Sequence, residues 1–90
     1  MTKEDLRLTL EQEFKNPFTL YTSTNKEVYY SKFVLAERMG NVIYLETVAP
    51  IPTVHYKVPY PSNPQQFIQS ICAFKEEVRH LGQLMISISE

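Results

Sequence analysis

The side chains that most often carry out catalysis are scarce in this sequence. Its 90 residues include one cysteine, Cys72, and two histidines, His55 and His80. Nucleophilic catalysis needs a thiol or hydroxyl beside a base. Cys72 falls within the apolar stripe of a predicted helix, where a cysteine is usually a small, inert core side chain. The sequence therefore predicts a packed Cys72 that reacts slowly with thiol reagents, in a protein that is not an enzyme.

Metal and phosphate sites lack the residues that they need. A zinc site uses about four ligands at close spacing. Cys72 and His80 are eight residues apart, so they do not lie along the same line of the predicted helix. Glu76 and His80 are four apart, a spacing typical of a solvated helical pair. The two glycines, Gly40 and Gly82, stand alone, which argues against Gly-rich nucleotide-binding loops. We expect no catalytic residue, no metal site and no cofactor.

Composition and charge place the chain among small globular domains. Hydrophobic residues make up 43% and charged residues 21%, and the net charge is −1. This length suits a single domain, residues 1–90, with one core, and the balanced charge argues against a protein that coats DNA. No apolar run approaches the roughly 20 residues of a membrane span. Residues 1–6 lack the apolar core of a signal peptide, so we expect a cytoplasmic protein without membrane contact.

Two helices frame the predicted fold. The first runs from an N-cap at Thr2 to Asn16, because Pro17 disfavours the α conformation in the residue before it. The second begins at the N-cap Asn63 and is expected to end at Gly82, since glycine is favoured just after a helix. The apolar stripe of the second helix contains Phe67, Ile71, Phe74, Val78 and Leu81.

The residues between the helices alternate between apolar and polar types, as β-strands do. Four extended runs are predicted at residues 18–23, 27–37, 41–48 and 53–58, and a fifth at residues 84–89 after the second helix. The predicted order is α-β-β-β-β-α-β. This pattern is typical of an α+β domain, in which a four-strand antiparallel meander and the C-terminal strand form one sheet with both helices on one face.

A hairpin around Gly40 assigns the two faces of the predicted sheet. A three-residue loop, 38–40, puts glycine at the left-handed position. Leu35 then pairs with Ile43, and Val34 with Tyr44, whereas a shift of one residue would mix the two faces. The face expected to pack on the helices carries Phe18, Leu20, Tyr29, Phe33, Leu35, Ile43, Leu45, Val54, Tyr56 and Val58.

The opposite face is the predicted functional surface. A sheet face that meets water usually carries polar residues, and tyrosine is favoured at protein interfaces because it joins apolar area to a polar tip. The alternative explanation for the apolar residues of this face is that the tail strand or the Pro-rich connector 49–52 covers them inside the domain. The expected partner-binding residues on this face are Tyr21, Tyr30, Lys32, Val34, Tyr44, Val48 and His55.

These features predict a small non-catalytic, regulatory binding protein of the adaptor, inhibitor or chaperone-like kind. It would mask or bridge a protein partner, or form a homodimer. The alternative is a single-stranded nucleic-acid-binding protein, in which bases stack on the tyrosines near Lys32 and Lys57. Against that alternative, Glu46 interrupts the face and the chain has no basic excess.

Overall fold

The computed structural model describes residues 1–48 and 54–89, with side chains as far as residue 80. The helices are α1 (Lys3–Phe14) and α2 (Pro64–Ser89). The strands are β1 (Thr19–Ser23), β2 (Lys26–Tyr30), β3 (Val34–Met39), β4 (Val42–Thr47) and β5 (His55–Pro59). All five form one antiparallel sheet in chain order. The α+β class, with two helices and a five-stranded antiparallel sheet, is confirmed.

The fifth strand, however, does not lie at the C-terminus. Residues 84–89, predicted to be a strand, belong to α2, which continues through Gly82 to Ser89. A short alternation of apolar and polar residues is compatible with either structure, and a glycine inside a helix costs only about 1 kcal/mol. The predicted connector 49–52 and the predicted strand start at Thr53 lie outside the described residues.

The additional strand arises because the predicted run 27–37 divides at Ser31 into β2 and β3. The Ser31 hydroxyl oxygen accepts hydrogen bonds from the amides of Phe33 and Val34, at 3.4 and 3.2 Å. The Ser31 amide donates to the Val34 carbonyl at 2.9 Å. A serine side chain can therefore satisfy the backbone of a tight turn without glycine or proline.

The hairpin between β3 and β4 has a tighter loop than the one predicted. Met39 pairs with Val42 across a two-residue loop, Gly40 and Asn41. Gly40 has a φ of 63°, which suits a glycine at the first position of such a loop. The loop therefore begins two residues later and ends one residue later than predicted, which shifts the pairing of β3 with β4 by three residues.

This loop, together with the turn at Ser31, reverses the predicted faces of β3. Val34 pairs with Thr47, and Leu35 pairs with Glu46, so the predicted pairs were wrong. The shift from the predicted register is by an odd number of residues, and such a shift turns every side chain of the strand to the other face. Val34 and Ala36 therefore face the helices, whereas Leu35 faces away from them.

The core lies between the sheet and the helices. The helices contribute Leu6 and Leu10 from α1, and Phe67, Ile71 and Phe74 from α2, all at most 1% exposed. The buried hydrophobic residues of the sheet are Tyr29, Val34, Ala36, Ile43, Leu45 and Val58. The burial predicted for Phe18, Tyr29, Ile43, Leu45 and Val58 is confirmed, and Leu20, Val54 and Tyr56 pack partly buried against this core. Phe33 and Leu35 are not core residues.

Tyr29 makes the stability of the fold sensitive to alkaline pH. Its hydroxyl donates to Glu27 Oε2 at 3.0 Å. Burial, and then the hydrogen bond to Glu27, raise the pKa of Tyr29 well above its ordinary value. Above about pH 10 the unfolded chain loses a proton that folded Tyr29 keeps, so stability should fall by up to about 1.4 kcal/mol per pH unit.

This pH effect can be tested by urea unfolding of the wild-type protein and Tyr29→Phe at about pH 8 and about pH 11. The stability advantage of the wild type over the variant should shrink as the pH rises, because the variant has no such proton to lose. An equal pH dependence in the two proteins would contradict this account of Tyr29.

Candidate protein-interaction surface

The sheet face turned away from both helices is the candidate site, and we call it the open face. Tyr29, Ala36 and Leu45 point into the core, and neighbouring strand residues point the opposite way. The strand register defines the open face by two rows of residues that cross all five strands. The first row is Tyr21, Val28, Glu37, Tyr44 and Lys57. The second row is Thr19, Tyr30, Leu35, Glu46 and His55.

Three tyrosines are the large hydrophobic side chains exposed in the two rows of the open face. Tyr21 is 62% exposed, Tyr30 45% and Tyr44 38%. Each stands on a different strand, so the sheet and not a loop sets their spacing. The partly buried Val28 and Leu35 lie in the same two rows. The result is a patch of aromatic and aliphatic side chains on the hydrogen-bonded strands of one sheet. Such a patch is typical of interaction sites.

Charges on and beside the patch nearly cancel. Lys26 Nζ lies 3.2 Å from Glu37 Oε1, and His55 Nδ1 lies 3.0 Å from Glu46 Oε2. Such solvent-facing pairs contribute about 0–1 kcal/mol to stability. With His55 counted as neutral, Lys26 and Lys57 balance the two carboxylates. The open face therefore presents a nearly uncharged surface.

Most of the predicted site residues come together in the structure. Tyr21, Tyr30, Tyr44 and His55 lie on the open face, in the two rows defined above. Lys32 is exposed in the turn between β2 and β3, where its ammonium group lies 5.6 Å from the centre of the Phe33 ring. Lys32 therefore lies at one end of the sheet and not within the patch.

The remaining two predicted residues do not lie in the patch. Val34 is 6% exposed and belongs to the core, so its predicted place on the outer face was wrong. The cause is the turn at Ser31, which reverses the faces of β3. Val48 is partly buried just beyond β4, where its amide donates to the Phe33 carbonyl. Leu35 occupies the place on β3 that the prediction gave to Val34.

Cys72 is exposed, contrary to the expected packing. It follows the buried Ile71 directly, and one residue rotates the side chain by about 100° around a helix. We therefore expect a chromogenic disulfide reagent to modify the native protein almost as fast as the urea-unfolded protein. Native labelling that is more than about tenfold slower would place the thiol in the core after all.

No metal site is visible in residues 1–48 and 54–80. Within that part of the chain, no group of three or more His, Cys, Asp or Glu side chains is arranged to hold an ion. Likewise, no helix in the described chain is long and apolar enough to cross a membrane.

Comparisons with known proteins assign no family. The chain matches no protein-family model, no curated protein and no solved structure. The function must therefore be argued from the chemistry of the open face.

Proposed function

We propose that the protein is a small non-catalytic binding protein that holds a protein partner on its open face. The observation that carries this proposal is the exposure of Tyr21, Tyr30 and Tyr44 on three strands of one sheet face. Removing apolar area from water is favourable by about 25 cal/mol per Å². Tyrosine also loses little conformational entropy when it binds.

The balance of charge indicates the kind of partner. Lys57 on the open face and Lys26 beside it balance Glu37 and Glu46. The open face therefore suits an apolar or mixed protein surface better than a strongly charged one. Covering or bridging such a surface is the action of an adaptor, an inhibitor or a chaperone-like regulator. We place this action in the cytoplasm, because an exposed single cysteine is compatible with a reducing compartment.

Substitution of Tyr44 by serine tests the proposal. The domain should stay folded, with a change below about 1 kcal/mol, because Tyr44 lies outside the core. Affinity for a partner recovered by affinity pull-down should fall by roughly thirtyfold, since a central interface tyrosine contributes about 2 kcal/mol. Calorimetric titration of the purified pair measures this change.

Leu8→Ser is the matched control. Leu8 is 49% exposed on α1, so this variant also removes an exposed apolar side chain, but from a helix and not from the open face. Partner affinity should be unchanged. If Tyr44→Ser and Tyr30→Ser both stay folded and both bind with wild-type affinity, the open face is not the binding surface.

A single-stranded nucleic acid is the alternative occupant of the open face. Its support is the pairing of Tyr44 with Lys57 in the strand register. In such proteins, bases stack on aromatic side chains and basic side chains bind the phosphates. Glu37 and Glu46 lie in the same rows and would repel the phosphates. Titration with fluorescent oligonucleotides at low and high salt decides between the two: affinity that falls steeply with salt indicates nucleic acid, and no binding at low salt excludes it.

A further inference from the structure

Helix α2 is much longer than the sheet on which it packs. Its 26 residues span about 39 Å at about 1.5 Å per residue, whereas β3 and β4 have six residues each and span about 20 Å. Val78 and Arg79 border the same cavity as Phe33 and Thr47, which lie at one end of these two strands. From about residue 80 onward, the helix therefore runs past the end of the sheet.

The apolar spacing of α2 continues into this projecting part. Positions 67, 71, 74 and 78 are followed by apolar residues at 81, 85 and 88, so steps of four and three alternate without a break. Up to Val78 this stripe packs on the chain's own core. Beyond Val78, the same heptad spacing is the pattern of a helix that packs against another helix. Residues 81–89 include no charged residue, and an uncharged helix of this kind is unstable in water without a partner.

The end of the sheet is also apolar. A cavity of about 240 Å³ opens there between the helices and the sheet. Phe33 lies at this cavity and is 45% exposed. The cavity is lined by Phe14, Phe33, Val34, Thr47, Phe74, Lys75, Val78 and Arg79. The apolar surface thus passes from the stripe of α2 onto the end of the domain.

We propose that α2 pairs antiparallel with α2 of a second copy of this chain. Along Phe67 and Phe74 the stripe is covered by the chain's own core, so a parallel partner helix would need the space that the sheet occupies. An antiparallel helix avoids this clash. The two-fold arrangement sets position 81 against position 85 of the second copy, and position 78 against position 88.

This arrangement also covers the cavity. Each partner helix ends near the other copy's Val78, which borders the cavity with Phe33. The two copies contribute the same surface to each other, as in most two-fold dimers. The open face plays no part in this contact, so the inference does not rest on the proposed function.

Sedimentation equilibrium of the full chain tests the pairing. We expect a mass of twice 10.5 kDa at tens of micromolar. Met85→Lys and Ile88→Lys put a charge into the paired stripe and should raise the dissociation constant at least about a hundredfold. Phe33→Ser should raise it about tenfold, because it removes an aromatic anchor at the sheet end. The three variants should still unfold cooperatively, since Phe33 is 45% exposed and positions 85 and 88 lie beyond the end of the sheet.

Gln83→Lys and Ser87→Lys are the matched controls. They add the same charge to the same segment, but positions 83 and 87 fall on the opposite side of the helix from position 85. Both should remain dimeric, as should Tyr44→Ser. A wild-type monomer at every concentration would overturn the proposal. So would a dimer that survives Met85→Lys and Ile88→Lys, and a dimer lost only with Tyr44→Ser would place the second copy on the open face.

Disulfide trapping tests the direction of pairing. Chains carrying Leu81→Cys are mixed with chains carrying Met85→Cys, both in a Cys72→Ser background, and are then oxidised. Antiparallel pairing predicts that the mixed covalent dimer forms faster than either self-paired dimer. Faster self-pairing at position 81 would indicate parallel helices and would contradict the proposed geometry.

Discussion

Phe74→Ala is expected to lower the free energy of unfolding by roughly 3–5 kcal/mol. The Phe74 ring is 1% exposed, and its centroid lies 6.1 Å from that of Phe14 and 6.4 Å from that of Tyr56. The ring of Phe74, on α2, therefore packs against both α1 and β5. Aromatic pairs contribute about 0.5–1.5 kcal/mol beyond the burial of area, and the deletion would enlarge the cavity at the sheet end.

Such a loss is a large part of the stability of a small domain, which is typically about 5–15 kcal/mol. Urea unfolding followed by tyrosine fluorescence measures it. Gln69→Ala is the control, because Gln69 is exposed on the same helix, and its effect should stay within about 0.5 kcal/mol. A loss below about 1 kcal/mol for Phe74→Ala would show that α2 does not pack on the sheet as described.

Ala36→Lys is expected to destabilise the domain by at least about 3 kcal/mol, which is the usual cost of an unpaired buried charge. Ala36 is completely buried, and it stands between Tyr29 and Leu45 in the strand register. A lysine at this position would bring its ammonium group among apolar side chains at the centre of the core. We expect a protein that is unfolded, or that melts far below the wild type.

The neighbouring residue provides the matched control. Leu35→Lys introduces the same charge on the open face, opposite Glu46, and should change stability by less than about 1 kcal/mol. Thermal unfolding followed by circular dichroism compares the two variants. The register predicted from the sequence requires the reverse result, with Leu35 in the core. A tolerated Ala36→Lys beside an unfolded Leu35→Lys would therefore show that the described register is wrong.

Local chemistry made the starts of both helices predictable. Thr2 forms a capping box, in which its hydroxyl accepts from the Asp5 amide while the Asp5 carboxylate accepts from the Thr2 amide. At α2, Asn63 Oδ1 accepts from the Gln66 amide at 3.0 Å. Capping bonds join residues only three apart, so the local sequence contains all the partners that they need.

The same locality explains why most of the open face could be predicted. Successive side chains of a strand point to opposite faces of the sheet, whichever strand is its neighbour. The apolar residues of β4 and β5 showed which of the two faces is buried. Tyr44 was therefore assigned correctly although its predicted partner, Val34, was wrong. Tyr21 and Tyr30 were assigned correctly by the same alternation in β1 and β2.

The sequence by itself determined the α+β class, the helix starts and the tyrosines of the open face, because each depends on neighbours a few residues away. Tertiary structure decided the turn at Ser31, the register of β3 and the helical conformation of residues 84–89. The segment 27–37 reads as one continuous strand, and the tail pattern suits strand and helix alike. Pairing of β3 with β2 and β4 turns Val34 and Ala36 into the core, and these contacts between distant residues leave no local signal in the sequence.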